Sequence, residues 1–318
     1  MLPVTAPHIR AMARATYALA AGVTVALAVS GCSPLRHLLR PDAVTTAPAV
    51  RTLEPVQSEL QAADDASAYL LLSIIGRTAT PDSELPIWRM VYRPFVPDLR
   101  EVLIVAGVHG NETAGVECAL QLVRSLSAAV PASAPYNLDL LPMLNPWGYV
   151  HDLPDSPVGV DIATDFSSFD SHEARLMRRF LRDKRYDLVV DLREDADAEG
   201  FSIWQYGLPD TRVARLVVDR VRAAGFPIAD SPAFTFLRPK EGVVEAPMWG
   251  LTVLRLSREL TLAGYIRGGG VSALVFTVVT PAGRPLPDRA AMQRIAVDAL
   301  LSEYAVLKPE SGAKAGAP

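Results

Sequence analysis

The chain has 318 residues, 50% of them hydrophobic and 21% charged, which excludes a mainly disordered protein and provides for a sizeable core. Its formal net charge is −4, from 31 basic and 35 acidic residues, so charge gives no reason to expect nucleic acid as a partner. Two cysteines, Cys32 and Cys118, are too few for a disulfide framework.

Residues 1–31 are typical of a signal peptide. Arg10 and Arg14 precede an uncharged run, residues 17–29, which is shorter than the roughly 20 residues needed to cross a bilayer. The run ends in Val29-Ser30-Gly31-Cys32, which resembles the lipobox of bacterial lipoproteins. The resemblance implies cleavage before Cys32, lipid attachment at its sulfur and anchoring in the cell envelope, and Ser33 favours the outer membrane, facing the periplasm. The alternative is an N-terminal membrane anchor with an incidental cysteine.

The rest of the chain is predicted to form one domain between two irregular segments. Residues 32–64 show no sustained periodicity and predict a tether, whereas residues 308–318, rich in Gly, Ala and Pro, predict a loose tail. Within residues 65–307, short apolar runs alternate with helical patterns, which favours an α/β fold with a mixed, mostly parallel sheet and helices on both faces. Strands are predicted at 87–92, 102–106, 138–144, 188–192 and 273–279, and helices at 116–126, 173–181, 213–223 and 289–306.

A histidine and a glutamate follow the first buried strand. His109 comes three residues after the run at 102–106, and Glu112 is three residues further on. In open α/β sheets, binding sites form at the carboxyl ends of the strands. An imidazole and a carboxylate at this spacing can bind one metal ion from two sides.

Five segments in order resemble the M14 metallocarboxypeptidase superfamily, above all its branch of succinylglutamate desuccinylase and aspartoacylase. They lie at residues 105–115, 145–148, 159–166, 191–195 and 277–281. The resemblance covers roughly residues 75 to 300, nearly all of the predicted folded region. The resemblance implies a zinc-carboxypeptidase-like fold, zinc as the family's cofactor, and two zinc ligands at His109 and Glu112.

The same segments depart from the family at the positions that carry out hydrolysis. The resemblance places the third zinc ligand, a histidine in the family, at Arg193, and arginine has no lone pair for a metal. The family's general-base glutamate falls at Val279, and its substrate-clamping Asn-Arg pair falls at Ala163 and Thr164. These replacements predict that zinc retention is doubtful and that hydrolytic activity is lost.

Two residues are candidates to compensate for these losses. His151 follows the segment at 145–148 and lies either in the cleft or outside it. Glu194 begins an acidic run after the second buried strand, for which a solvated loop is the simpler interpretation. Glu241 and Glu245 belong to a region that could overhang the cleft. None of them stands at a position that the family motif assigns to a ligand or base.

Arg193 can also be interpreted as a replacement for the charge of the metal ion. If the metal is gone, a buried Glu112 needs another cation, because an unpaired carboxylate is costly in such a pocket. Arginine suits buried ion pairs, so we expect the guanidinium of Arg193 to lie at or beside the zinc position and to pair with Glu112. The alternative is an Arg193 that turns outward and a hydrated Glu112.

Three functions remain open from sequence. The favoured one is a lipoprotein whose degenerate domain binds a peptide or acylamino ligand without hydrolysing it, with the membrane as partner through its lipid. The second is an active zinc-dependent carboxypeptidase or amidohydrolase with a rearranged site, acting on peptides, peptidoglycan stems or N-acyl amino acids. The third is a scaffolding lipoprotein whose cleft has no role. Fold analogy does not choose among them, because function depends on the site.

Overall fold

A computed structural model of the chain describes residues 49–80, 84–129, 134–208, 210–230, 239–246 and 260–305. The predicted signal peptide, Cys32, most of the predicted tether and the tail at 308–318 lie outside these ranges. The described residues form a single α/β architecture around one mixed sheet, as predicted. No helix within them is long and apolar enough to cross a membrane.

The sheet contains eight strands, four of which form a parallel centre. The strands are β1 (Leu70–Ala79), β2 (Glu84–Tyr92), β3 (Arg100–Val105), β4 (Tyr136–Leu141), β5 (Leu188–Asp195), β6 (Ser202–Tyr206), β7 (Val243–Ala246) and β8 (Val275–Pro281). Their order is β1-β2-β4-β3-β5-β8-β6-β7. Strands β4, β3, β5 and β8 are mutually parallel, β2 and β6 run antiparallel to this centre, β1 is antiparallel to β2, and β7 is parallel to β6.

Helices cover both faces of this sheet. They are α1 (Glu54–Ala66), α2 (Thr113–Ser127), α3 (Pro146–His151), α4 (His172–Leu181), α5 (Arg212–Ala223), α6 (Leu262–Gly268) and α7 (Leu286–Leu300). Helices α1, α2, α5 and α7 pack on one face, and α4 and α6 pack on the other. The central strands are apolar on both sides because both sides are covered, and four consecutive residues of β3, Val102 to Val105, are fully buried.

Helix α1 corrects the predicted tether, because the folded domain begins no later than Glu54. Pro55 occupies the first turn, and Val56, Leu60 and Ala63 form a buried stripe against the core. The hydrophobic periodicity did not predict this helix, because its apolar face consists of only three residues, which lie among acidic and amide side chains. The last part of the predicted tether, residues 54–64, is therefore helical and packed.

Strand β4 carries a buried carboxylate with four donors. The side chain of Asp139 is fully buried, and its Oδ1 accepts from Arg89 at 2.6 Å and from Arg93 at 2.8 Å. Its Oδ2 accepts from Lys184 at 3.0 Å and from Tyr186 at 2.6 Å. Burial alone would raise the pKa of Asp139, but these hydrogen bonds and charges lower it to about 2. The cluster ties β2, β4 and the α4–β5 connection together.

We expect Asp139→Asn to lower the free energy of unfolding at pH 7 by about 2–3 kcal/mol, because it leaves three partly buried cations without their carboxylate. The lowered pKa means that the carboxylate stabilises the fold fully above its unfolded pKa near 4 and loses this contribution as the pH falls to about 2. Urea unfolding between pH 7 and pH 2 measures both effects. Asp219→Asn, at an exposed carboxylate, is the control and should change little. An Asp139 variant with unchanged stability at pH 7 would contradict this account.

Candidate functional site

The candidate site forms where β3 and β4 end and two loops meet. The His109 loop and the loop after β4 approach so closely that a Cβ on Gly110 would lie 1.9 Å from the carbonyl carbon of Gly148. Asn145 holds the second loop, because its Oδ1 accepts from the Gly148 N–H and its Nδ2 donates to the carbonyl of Pro154. The glycines and the asparagine of the two motifs therefore fix the backbone that carries His109.

Four charged side chains meet at this point. His109 lies between two carboxylates, with Nδ1 2.8 Å from Oε1 of Glu112 and Nε2 2.8 Å from Oδ1 of Asp161. Arg193 donates from Nε to Oε2 of Glu112 at 2.8 Å and from its terminal nitrogen NH2 to Oε1 at 3.1 Å. The predicted ion pair between Arg193 and Glu112 is therefore present, with both side chains largely buried.

The charges of these four side chains balance. Burial and the charge of Arg193 lower the pKa of His109, but Glu112 and Asp161 outweigh them and raise it to about 9. Burial raises the pKa of Glu112 and Asp161, whereas the two cations lower it, to about 2 for Asp161. At neutral pH both ring nitrogens of His109 therefore carry protons and donate to carboxylates, so that two cations face two anions.

A third carboxylate lies beneath Arg193 on the same strand. Asp191 is buried in register with Thr277, and within the described part of the chain its Oδ1 has no hydrogen-bond partner. Burial raises the pKa of Asp191 to about 6, and Arg193 offsets part of this rise. Thr277 in turn contacts the hydroxyl of Tyr206 at 3.3 Å. The floor of the site is therefore polar and rich in acceptors.

The residues present do not fit the zinc ion that the family resemblance implies. A catalytic zinc site uses three protein ligands with free lone pairs, and the third position here is a cation. The nitrogen NH2 of Arg193 lies 2.9 Å from Nδ1 of His109 and 3.1 Å from Oε1 of Glu112, so the guanidinium contacts both side chains that would otherwise bind metal. Across the described ranges, no group of three or more His, Cys, Asp or Glu side chains is arranged to hold a metal ion.

The other replaced positions lie around this cluster and carry no charge. Val279 is the register neighbour of Arg193 on β8 and is partly exposed. Ala163 and Thr164 are buried in the short 3-10 turn Ile162–Thr164, directly after Asp161. The N–H of Ala163 donates to the carboxylate of Asp161 at 2.9 Å, so this turn orients the partner of His109.

The candidate compensating residues have other surroundings. The ring of His151 packs on Trp147 with centroids 4.7 Å apart, and its buried Nδ1 finds no partner among the described residues. Glu194 is buried: it accepts from the N–H of Ala114 at 2.6 Å, at the start of α2, and forms an ion pair with Arg289. Glu194 is thus a structural residue, neither the replacement ligand nor the solvated loop residue considered from sequence.

The remaining acidic residues are two that the sequence suggested near the site and two whose roles it did not predict. Glu241 is exposed and lies 3.8 Å from Arg215, and Glu245 is exposed on β7. Sequence reasoning missed the roles of Asp161 and Asp191, although both lie inside the segments that resemble the family. They could have been predicted from charge: if His109 and Arg193 are buried and positively charged, acidic residues at neighbouring strand ends or loops are expected to neutralise them.

Comparison with known proteins agrees with this geometry. Residues 98–151, which include His109 and Glu112, match the sequence model of the succinylglutamate desuccinylase/aspartoacylase catalytic domain. No protein of curated function matches the chain by sequence. The predicted resemblance to the M14 metallocarboxypeptidase superfamily, with its succinylglutamate desuccinylase-like branch, is confirmed by this match together with the fold.

Solved structures share the fold at low sequence identity. A candidate metallopeptidase from Shewanella amazonensis SB2B has a TM-score of 0.66 and 19% identity, covering 80% of this chain and 93% of its own. A metallo-carboxypeptidase from Burkholderia cenocepacia has a TM-score of 0.59 and 18% identity, covering 79% and 69%. Carboxypeptidase A from Helicoverpa armigera has a TM-score of 0.57 and 14% identity, covering 80% and 74%. The architecture is therefore carboxypeptidase-like.

We expect Arg193→Met to lower the free energy of unfolding by about 3–5 kcal/mol, because it leaves the carboxylate of Glu112 buried without its main partner. Combining it with Glu112→Gln should recover much of this loss, since the uncompensated charge is then removed. Urea unfolding of the wild type, both single variants and the double variant gives the coupling energy. A coupling energy near zero would contradict the structural role of this pair.

Proposed function

We propose that this domain is a metal-independent ligand-binding domain with a carboxypeptidase-like fold. The observation that carries the proposal is the placement of Arg193, whose guanidinium contacts both His109 and Glu112. A permanent cation in this position neutralises Glu112 as a metal would, but it offers no open coordination position and does not acidify water.

The rest of the site supports binding without hydrolysis. A general base must be a titratable group within reach of the attacking water, and Val279 provides none. Stabilising the developing charge on a scissile carbonyl requires fixed donors or cations, and Ala163 and Thr164 supply no side-chain cation. The site therefore retains His109 and Glu112 of the zinc-binding motif that it resembles but lacks the groups that would accelerate hydrolysis.

Arg193 also indicates the chemistry of the ligand. Its Nε and NH2 are committed to Glu112, whereas NH1 makes no hydrogen bond within the described residues. The side chain is 14% exposed, so part of it is accessible. Charge-assisted hydrogen bonds from a guanidinium favour a carboxylate, and Val279 beside it offers apolar contact. These features fit a peptide or N-acyl amino acid bound through its carboxylate, which agrees with the carboxypeptidase names of the solved neighbours.

We place the domain in the bacterial cell envelope as part of the same proposal. The lipobox-like sequence ending at Cys32 supports lipid attachment there, and Ser33 supports the outer membrane, facing the periplasm. The residues between Cys32 and residue 49 then serve as the tether, since Val50 and Arg51 already hydrogen-bond to the carbonyl of Val150 on the domain. Mass spectrometry of the mature chain, with a Cys32→Ala variant as control, tests the attachment directly.

Metal content tests the proposed role of Arg193. The wild-type chain, purified without chelator, should contain no stoichiometric zinc by elemental analysis. Arg193→His should bind about one zinc ion per chain, because it supplies the missing third ligand, and adding Val279→Glu should preserve this binding. Arg289→His, at another largely buried arginine, is the matched control and should bind none. Stoichiometric zinc in the wild type that disappears with His109→Ala would overturn the proposal and favour an active hydrolase.

Calorimetric titration tests the ligand class. An N-acetylated dipeptide with a free carboxylate should bind more tightly than its C-terminal amide, by at least about tenfold, because only the carboxylate places a negative charge against NH1 of Arg193. Arg193→Lys should remove this preference while keeping the positive charge. Equal binding of the two peptides, or a preference that survives in Arg193→Lys, would show that Arg193 does not recognise the carboxylate.

A further inference from the structure

Helix α4 exposes arginines that have no acidic partner. Four of them, at positions 178, 179, 182 and 185 at the end of the helix and just after it, are exposed, and they form no ion pair with any residue the structure describes. Between residues 172 and 185 the one exposed acid is Asp183. We refer to Arg178, Arg179, Arg182 and Arg185 as the α4 arginines.

Helix α5 provides the contrast. It also carries four exposed arginines, and each of these lies within 4 Å of a carboxylate. The pairs are Arg212 with Asp210, Arg215 with Glu241, Arg220 with Glu303 and Arg222 with Asp219. In a chain of net charge −4, an arginine cluster without neutralising acids is a local feature of one surface. It gives that surface the charge to attract an anionic partner.

Exposed apolar side chains lie at the edge of the sheet towards which the cluster extends. Leu71, at the start of β1, is 60% exposed, and Phe95, in the β2–β3 connection, is 79% exposed. Phe95 packs against the ring of Tyr69 with centroids 5.9 Å apart. Arg185 precedes β5, so Arg185, Leu71 and Phe95 all lie where parallel strands of the sheet begin.

Register places Leu71 on the face that α4 covers. Arg89 of β2 lies over the ring of Phe180 in α4, 5.5 Å from its centroid, and pairs in register with Ser73. Leu71 is two residues before Ser73, so its side chain points to the same face of the sheet. The α4 arginines and Leu71 therefore belong to one side of the molecule.

We propose that the α4 arginines, with Leu71 on the same face and Phe95 at the adjoining edge where the parallel strands begin, dock the domain onto an anionic phospholipid bilayer. Arginines near an anionic membrane surface attract lipid phosphates, and exposed aromatic and aliphatic side chains enter the interfacial region. A bilayer fits this combination because it offers negative charge and apolar depth over one extended surface. The proposal is independent of the ligand-binding function; a lipid at Cys32 would strengthen the docking but is not required for it.

The length of the N-terminal segment is compatible with this docking. Sixteen residues separate Cys32 from residue 49, where the described chain begins. Fully extended, they span roughly 55 Å. The described chain begins beside α3, where the N–H of Val50 donates to the carbonyl of Val150, so in the docked state this length is needed to pass from the site edge to the bilayer. A lipid chain and a basic surface together hold a protein on a membrane better than either alone.

Vesicle co-sedimentation of the predicted mature chain, residues 32–318, tests the proposal. All variants begin at residue 32 and carry Cys32→Ala, so that neither the signal peptide nor a lipid contributes, and vesicles contain phosphatidylcholine alone or with phosphatidylglycerol. We expect phosphatidylglycerol to increase binding, and glutamine at all four α4 arginines to reduce that increase at least about tenfold. The matched control replaces Arg212, Arg215, Arg220 and Arg222 with glutamine, which removes the same charge from α5 and should keep the increase.

A further variant tests the apolar part of the surface. Leu71→Ser with Phe95→Ser should weaken the binding that persists at high salt, where attraction between charges is screened. Three results would overturn the proposal: no response of the wild type to phosphatidylglycerol, equal loss in the α4 and α5 variants, or binding to RNA but not to vesicles. Circular dichroism of each variant shows whether it is folded.

Discussion

The site is organised around the need to neutralise buried carboxylates at the ends of the central strands. Glu112 and Asp161 are both buried, so each needs a positively charged partner inside the pocket. A metal ion could neutralise Glu112, but it would have to be acquired. Arg193 supplies the positive charge from within the chain, so the pocket is complete as soon as the protein folds. The same permanence removes the exchangeable coordination position on which metal-assisted hydrolysis depends.

The loops that carry the site are held by residues that take no part in its charge interactions. Gly110 and Gly148 bring two loops into backbone contact, and Asn145 fixes one of them. These residues belong to the motifs that resemble a hydrolase family, yet their contacts serve the loop conformation and involve no reacting group. Part of each motif therefore encodes the fold, so a motif match alone does not establish catalysis.

The sequence predicted those features that depend on a short stretch of residues or on the pairing of opposite charges. The buried runs of β3 and β5 predicted the parallel centre, and the charge of Arg193 opposite Glu112 predicted their ion pair. Helix α1 was missed because three apolar residues make a weak periodic signal. Glu194 was misread because its partner, the N–H of Ala114, is 80 positions away in sequence. Contacts of this kind depend on how β5 and α2 pack against each other, which no local sequence pattern specifies.

The site and the proposed docking surface each depend on arginines, and these arginines lie at opposite edges of the sheet. Arg193 lies at the carboxyl ends of β5 and its parallel neighbours, paired and largely buried, whereas Arg185 lies before β5, unpaired and exposed. The proposed docking surface and the cleft are therefore at opposite edges of the same sheet. A domain held on a bilayer through the edge near Arg185 would keep the cleft directed to the aqueous side, where a soluble ligand can reach it. Membrane docking and ligand binding would then proceed without competing for the same surface.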